Sequence, residues 1–139
     1  MATNKIGDTV TQGGFHVKVN SVTMPYTPPA GATYKPRDPM VWIVVDFTAT
    51  NATDKPLVFS SIMGMELYDS DKNKYLASIV YEDSLPKGKV FPDTDIAPGK
   101  SATGEVVFEV PKTSKGFLLF VEGALFHKSG PIPVVGLGR

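Results

Sequence analysis

The sequence predicts an all-β fold, an immunoglobulin-like antiparallel β-sandwich of seven to eight strands. Short runs of alternating apolar and polar residues recur between turn-forming residues, which is typical of strands with one face toward a core. The 13 glycines and 12 prolines are spread along the chain and leave no long stretch for a helix. The length of 139 residues suits one domain. We therefore predict a single domain over residues 1–139, in which two sheets pack face to face.

The strongest strand is predicted at residues 41–49, where alternate side chains are apolar and share one face. Trp42 and Val44 make the first half of this run apolar on both faces, so we expect a central strand. A second alternating run, residues 15–24, slips by one residue near Asn20 and Ser21. This slip predicts a β-bulge, which would restore the facing of the apolar side chains.

Further strands are predicted at residues 57–59, 63–68, 75–76, 103–111, 117–121 and 132–135. In the fourth of these, alternate apolar residues are expected to face inward, with Glu105 and Glu109 outward. Pro133 cannot donate to a ladder, so the last strand is expected at a sheet edge. Residues 97–100, Ala-Pro-Gly-Lys, fit a type II turn. Residues 76–85 fit either a strand or a short helical turn.

Two segments, residues 25–39 and 84–98, show little periodicity and are predicted to be loops. Loops of this length are uncommon in compact domains and are often functional. The first contains five prolines together with Tyr26, Tyr34 and Arg37. The alternative is that both segments are extended connections that cross between the sheets.

Four residues are candidates for ligand binding, namely Tyr26, Tyr34, Arg37 and Tyr81. Tyrosine rings stack on sugars and peptides at a small entropic cost, because the side chain has few rotatable bonds. The alternative is that the tyrosines pack over the end of the sandwich and seal its core.

Composition disfavours several classes of function. Lys and Arg number 14, as do Asp and Glu, so the basic excess of most nucleic-acid-binding proteins is missing. The same balance gives no electrostatic reason to bind an anionic membrane. There is no cysteine, which excludes disulfides and thiolate chemistry. No run of 18 apolar residues occurs, so we predict no transmembrane segment.

Several segments occur in the order found in a known family: Ile-Gly-Asp-Thr-Val at 6–10, Phe-His-Val-Lys-Val-Asn-Ser-Val at 15–22, residues 44–51, Asp-Lys-Pro at 54–56, residues 67–71, and Ile-Ala-Pro-Gly-Lys at 96–100 continuing to residue 111. On these segments the chain resembles the uncharacterised immunoglobulin-like domain of bacterial and archaeal secreted lipoproteins. That family is similar in fold to the mycobacterial immunoprotective extracellular antigen. The resemblance covers about residues 6–121 and depends on the order and spacing of these segments.

The resemblance implies an extracytoplasmic β-sandwich, usually tethered by a lipidated cysteine near its N-terminus. This chain has neither that cysteine nor a lipobox, so either an anchor is missing from the sequence or the protein is untethered. The expected location is extracellular or cell-envelope-anchored. The family has no established catalytic residues, so the resemblance assigns none here.

The clearest metal-like pattern is Asp69, Asp71 and Asn73, which match the first three ligands of a calcium loop. Position six of that loop is Lys74 rather than Gly, and position twelve is Val80 rather than Glu, so a hairpin turn is the favoured interpretation. The two histidines, His16 and His127, lack the spacing of a zinc site. We predict no metal and no cofactor.

The sequence leaves three hypotheses for function. The first is a non-enzymatic surface module that binds an unknown protein or glycan ligand at the cell surface. The second is a structural or assembly subunit of an envelope or phage particle. The third is a small sugar-active hydrolase, with paired carboxylates such as Asp93 and Asp95, or Glu82 and Asp83, as acid and base. The absence of a G-x-S-x-G elbow and of metal spacing favours a protein that is not an enzyme.

Overall fold

The fold is described by a computed structural model that covers residues 4–78, 82–86, 88–123 and 130–139. Its strands are β1 (Asn4–Lys5), β2 (Thr9–Gln12), β3 (Phe15–Tyr26), β4 (Met40–Asn51), β5 (Leu57–Val58), β6 (Met65–Tyr68), β7 (Lys74–Tyr75), β8 (Asp95–Ile96), β9 (Ser101–Pro111), β10 (Leu118–Val121) and β11 (Val134–Gly136). One short 3₁₀-helix spans Glu82–Ser84. The predicted all-β sandwich is therefore confirmed.

The strands form two main sheets. The first, the β4 sheet, has the order β2-β3-β4-β9, and the second, the β10 sheet, has the order β1-β11-β10-β6-β7. A small ribbon of β5 and β8 lies apart from both sheets. Pairing between the strands is antiparallel, as predicted, except that the two-residue strand β1 runs parallel to β11. Seven of the strands within the described residues are longer than two residues.

The central position predicted for β4 is confirmed. It pairs with β9 from Met40 opposite Pro111 to Thr50 opposite Ser101, and with β3 on its other side. The register with β3 shifts between Val19 and Ser21, which is the predicted bulge.

The main core lies between the two sheets and contains the alternate apolar side chains of β3, β4 and β9. Phe59, which is fully buried, is the centre of an aromatic cluster in this core. Its ring centroid lies 5.2 Å from that of Phe15, 5.5 Å from that of Phe47 and 5.8 Å from that of Phe91. Edge-on and tilted contacts at these distances are favourable because ring edges and faces carry opposite partial charge.

A second apolar cluster covers the outer face of the β4 sheet. It consists of Trp42, Val44, Leu85 and Val107, with Tyr26 and Val90 packed against it. This outer cluster explains why β4 is apolar on both faces. The residues that cover it also pair with the free edge of β9, because Ser78 bridges to Val107 and Val90 bridges to Glu105. Covering an edge in this way protects it from pairing with other chains.

Two local predictions were wrong. The last strand is β11, which lies between β1 and β10 rather than at an edge, because β1 adds beside it. The short helical turn considered for residues 76–85 is present as the 3₁₀-helix Glu82–Ser84, whereas Leu76 is 57% exposed and residues 79–81 lie outside the described part. The segment 84–98 contains β8 and the Val90 bridge, so its backbone is partly paired.

The turn at residues 97–100 is confirmed, with Gly99 at a φ of 73° and a hydrogen bond from Lys100 N to Ala97 O. Among the described residues, no helix has the length and apolar character needed to cross a membrane.

Candidate functional site

A groove of about 640 Å³ lies where β3 ends, beside the proline-rich loop of residues 27–39. We call it the Pro-loop groove. Four prolines form much of its wall, together with Tyr26 and Val41, and Lys35 is the one charged residue in its lining. The sequence placed Pro25 and Tyr26 in a loop, whereas the structure places both in β3.

Tyr26 connects this groove to the outer cluster. Its ring stacks on Trp42 with a centroid distance of 6.5 Å and an interplanar angle of 5°. Its hydroxyl donates a hydrogen bond of 3.0 Å to the carbonyl of Ser84. Burial, and next the nearby carboxylate of Glu105, raise the pKa of the Tyr26 hydroxyl. Tyr26 therefore covers part of the outer face and also belongs to the lining of the groove.

Glu109 anchors one end of the Pro-rich loop to the β4 sheet. Arg37 donates to Glu109 Oε2 from Nη2 at 2.9 Å and from Nε at 3.1 Å, and Trp42 Nε1 donates to Oε1 at 3.2 Å. Burial alone would raise the pKa of Glu109, but the hydrogen bonds from Arg37 and Trp42 outweigh it and the pKa is lowered. The Arg37 side chain stays 84% exposed and is not in the groove lining, so its structural role is to hold the loop.

The middle of the same loop is held by the 3₁₀-helix. Thr33 donates to Asp83 Oδ2 from its backbone nitrogen at 3.0 Å and from its hydroxyl at 2.7 Å. This contact joins the Pro-rich loop to the 3₁₀-helix, and the hydrogen bond from Tyr26 to Ser84 joins the two predicted functional segments themselves. Tyr34 is 42% exposed and does not line the groove. Tyr81, the fourth candidate, lies outside the described residues.

Glu105 is a residue that sequence reasoning missed. It was expected to point outward, and it does, but residues 89–91 pair with its backbone along the edge of β9 and leave it only partly exposed. Its Oε1 atom is buried and has no hydrogen-bond partner among the described residues, and the same is true of Ser84 Oγ. Burial raises the pKa of Glu105, the facing Asp46 raises it further, and Lys89 opposes them. Apolar Val107, between Glu105 and Glu109, was the available signal that this face is covered.

Asp69 organises the hairpin turn that resembles a calcium loop. Its carboxylate accepts hydrogen bonds from the backbone of Asp71 and Asn73, from Asn73 Nδ2, and from the Tyr75 hydroxyl. Burial acts to raise the pKa of Asp69, but these hydrogen bonds lower it overall. Asn73 presents its amide nitrogen to the carboxylate, which is the arrangement of a self-capped turn. No group of three or more His, Cys, Asp or Glu side chains that could hold a metal occurs in the described part of the chain.

The carboxylates proposed for sugar chemistry hold neighbouring loops. Asp93 accepts hydrogen bonds of 3.1 Å from both the backbone nitrogen and the hydroxyl of Ser61. Asp83 accepts those of Thr33 described above. His16 is exposed and its Nδ1 lies 2.8 Å from Thr11 Oγ1, whereas His127 lies outside the described residues.

Solved structures share this fold. The yjhA protein of Bacillus subtilis has a TM-score of 0.71 at 19% identity, over 97% of this chain and 99% of that chain. The ycdA protein of Bacillus subtilis subsp. subtilis str. 168, provisionally named a lipoprotein, has a TM-score of 0.71 at 21% identity, over 94% of this chain but 38% of that one. The secreted protein MPT63 of Mycobacterium tuberculosis has a TM-score of 0.60 at 14% identity, over 98% and 95% of the two chains.

Sequence comparison identifies the family. Curated protein sequences give no match. The family described as "Domain of unknown function (DUF4352)" matches residues 4–131, and the resemblance to secreted, lipoprotein-like sandwiches predicted from the sequence is confirmed. Because this match covers almost the whole chain, the protein belongs to the DUF4352 family, whose function is unknown.

Proposed function

We propose that this protein is a non-enzymatic binding module that acts outside the cytoplasm, free or anchored to the cell envelope. Its ligand, a protein or a glycan at the cell surface, would occupy the Pro-loop groove. The location is supported by two neighbours in fold, one secreted and one provisionally named a lipoprotein. The groove has the volume of ordinary ligand sites, which range over about 300–1,000 Å³.

The observation that carries the proposal is that the loop forming the groove is held at several points. Glu109 binds Arg37 near one end, Asp83 binds Thr33 in the middle, and Tyr26, where the loop leaves β3, is stacked on Trp42. A loop with these contacts loses little further freedom when a ligand binds, so more of the contact energy remains as affinity. Preorganisation of this kind favours recognition over a merely connecting role.

The chemistry of the lining supports binding without catalysis. Its ionisable groups among the described residues are the Lys35 ammonium and the Tyr26 hydroxyl. The Tyr26 hydroxyl already donates to Ser84, and burial together with Glu105 raises its pKa. Such a hydroxyl is poorly suited to act as a base near neutral pH.

The test is a screen by two-dimensional amide NMR with mixtures of short glycans and peptides. We expect shifts of the amides of residues 25–41 on addition of a ligand, and loss of those shifts in Ala30→Trp, which places an indole at the groove. Thr94→Trp, an exposed substitution outside the groove, is the matched control and should bind as the wild type does. Ligands that shift only amides outside residues 25–41, or a screen in which no glycan and no peptide binds, would count against the proposal.

A second candidate, an assembly subunit, is favoured by one observation. The outer face of the β10 sheet has a mainly apolar concavity of about 490 Å³, lined by Tyr68, Leu118, Phe120 and Val134 and bordered by the charged residues Asp69 and Lys72. A self-associating subunit would use such a surface as a symmetric interface. Light scattering at high concentration should then show an oligomer that Phe120→Glu dissociates, whereas a monomer would exclude self-assembly.

A further inference from the structure

We propose, on the basis of the proposed function, that the ligand of the Pro-loop groove is an extended apolar peptide segment that carries a carboxylate opposite Lys35. The walls of the groove determine which ligand chemistry it can accept.

The walls offer mainly apolar surface, and besides Tyr26 the side-chain hydrogen-bond donors in the lining are Thr27 and Lys35. Proline has no backbone N–H, so Pro25, Pro28, Pro29 and Pro36 cannot donate to a ligand. The Tyr26 hydroxyl is directed to Ser84 and is not available as a donor. A sugar buries many hydroxyls that each need a partner, and leaving them unpaired is costly. The lining therefore favours a peptide over a glycan.

The same shortage of donors selects the conformation of the peptide. A strand added to a sheet edge requires backbone hydrogen bonds from the protein, which the pyrrolidine rings cannot supply. A polyproline-II segment has its backbone groups solvated and presents apolar side chains at regular intervals. Aromatic-lined grooves bind such segments by contact with their side chains. Here Tyr26 is the aromatic residue of the lining and the prolines extend the apolar surface, so we expect an extended, proline-containing ligand.

Lys35 sets the charge of the ligand. It is exposed, and it forms no ion pair with any residue in the described part of the chain. The neighbouring Arg37 is already paired with Glu109, and no carboxylate lines the groove. A carboxylate on the peptide would find its complement here and a cationic peptide would be repelled. Charges of this kind contribute mainly to selectivity and to the rate of association.

The experiment is selection of random twelve-residue peptides on phage against the folded protein and two charge-reversed variants. With the wild type, we expect enrichment of peptides that contain proline, apolar residues and Asp or Glu. Lys35→Glu should lose that acidic preference. Lys100→Glu, which reverses an exposed charge outside the groove, is the matched control and should select as the wild type does.

An enriched peptide is then synthesised with its acidic residue as Glu and as Gln, and both forms are titrated by fluorescence anisotropy. For the wild type we expect the Glu form to bind about fivefold more tightly, the value of a good exposed ion pair, with a difference that shrinks in high salt. Lys35→Glu should abolish this difference. Equal binding of the two forms by the wild type would overturn the inference.

Failure of the inference is separable from failure of the proposed function. Glycans that shift groove amides while no peptide is enriched would overturn the peptide class and leave the groove as a binding site. Enriched peptides whose charge preference is unchanged in Lys35→Glu would overturn the assigned role of Lys35. The absence of any ligand at the groove in both experiments would overturn the two together.

Discussion

Removal of the Glu109 carboxylate tests how the Pro-rich loop is held on the sheet. In Glu109→Ala the indole N–H of Trp42, a residue that is 3% exposed, loses its acceptor, which costs about 1–3 kcal/mol. The lost pair with the exposed Arg37 adds about 0.2–1 kcal/mol. We therefore expect a total loss of about 1–4 kcal/mol in the free energy of unfolding, measured by urea denaturation with Trp42 emission as the probe.

Two further variants separate these contributions. Arg37→Ala removes only the exposed pair and should cost less than about 1 kcal/mol. Glu109→Gln keeps an acceptor for Trp42 and should cost a similar small amount. Because the pKa of Glu109 is lowered on folding, its charge stabilises the fold above the ordinary value of 4.5, and this contribution is lost as the pH falls through the folded-state pKa. An Arg37→Ala loss as large as that of Glu109→Ala would refute this account.

Three other substitutions test the core and the covered outer face. Phe59→Ala should lower the free energy of unfolding, measured by urea denaturation, by about 3–5 kcal/mol. Val58→Ala, at a neighbouring residue that is 42% exposed, should lower it by less than about 0.5 kcal/mol. Similar losses in the two variants would place the Phe59 ring outside the core. Gly104→Ala should lower the melting temperature, because an added Cβ would lie 2.7 Å from the backbone nitrogen of Phe91; an unchanged melting temperature would contradict that close approach. Glu105→Gln should be more stable than the wild type at pH 7 and equally stable below pH 4.5, because the raised pKa of Glu105 means that its ionisation opposes folding as the pH rises. Equal urea midpoints of the two proteins at both pH values would show that the carboxylate is solvated.

Much of the fold was predictable because strand periodicity is local. In β3 and β4, the alternation of apolar residues shows which side chains face the core, and the phase slip between Val19 and Ser21 shows where a bulge must lie. Neither inference needs knowledge of distant contacts. The parallel pairing of β1 with β11 was not predictable in this way. It joins two-residue and three-residue strands more than 120 residues apart, and runs this short have no period.

The candidate site was predictable only in part. The proline content of residues 25–39 identified the loop, and Tyr26 proved to line the groove. Lys35 was not singled out, because nothing local distinguishes it from other exposed lysines. The anchoring role of Arg37 depends on Glu109, which is 72 residues away in the chain. Burial of Glu105 depends on a covering segment whose position only the tertiary structure reveals.

The central claim is that Leu85, Val90 and Tyr26 cover the outer face of the β4 sheet, and that Tyr26 also belongs to the lining of the groove. Trp42 is the single tryptophan of the chain and lies at the centre of that covered face, so its emission and its quenching by acrylamide measure the cover directly. The account predicts a blue-shifted native emission with weak quenching, and a red shift with stronger quenching in Leu85→Ala. A native emission like that of free tryptophan in water, with quenching unchanged by Leu85→Ala, would contradict it.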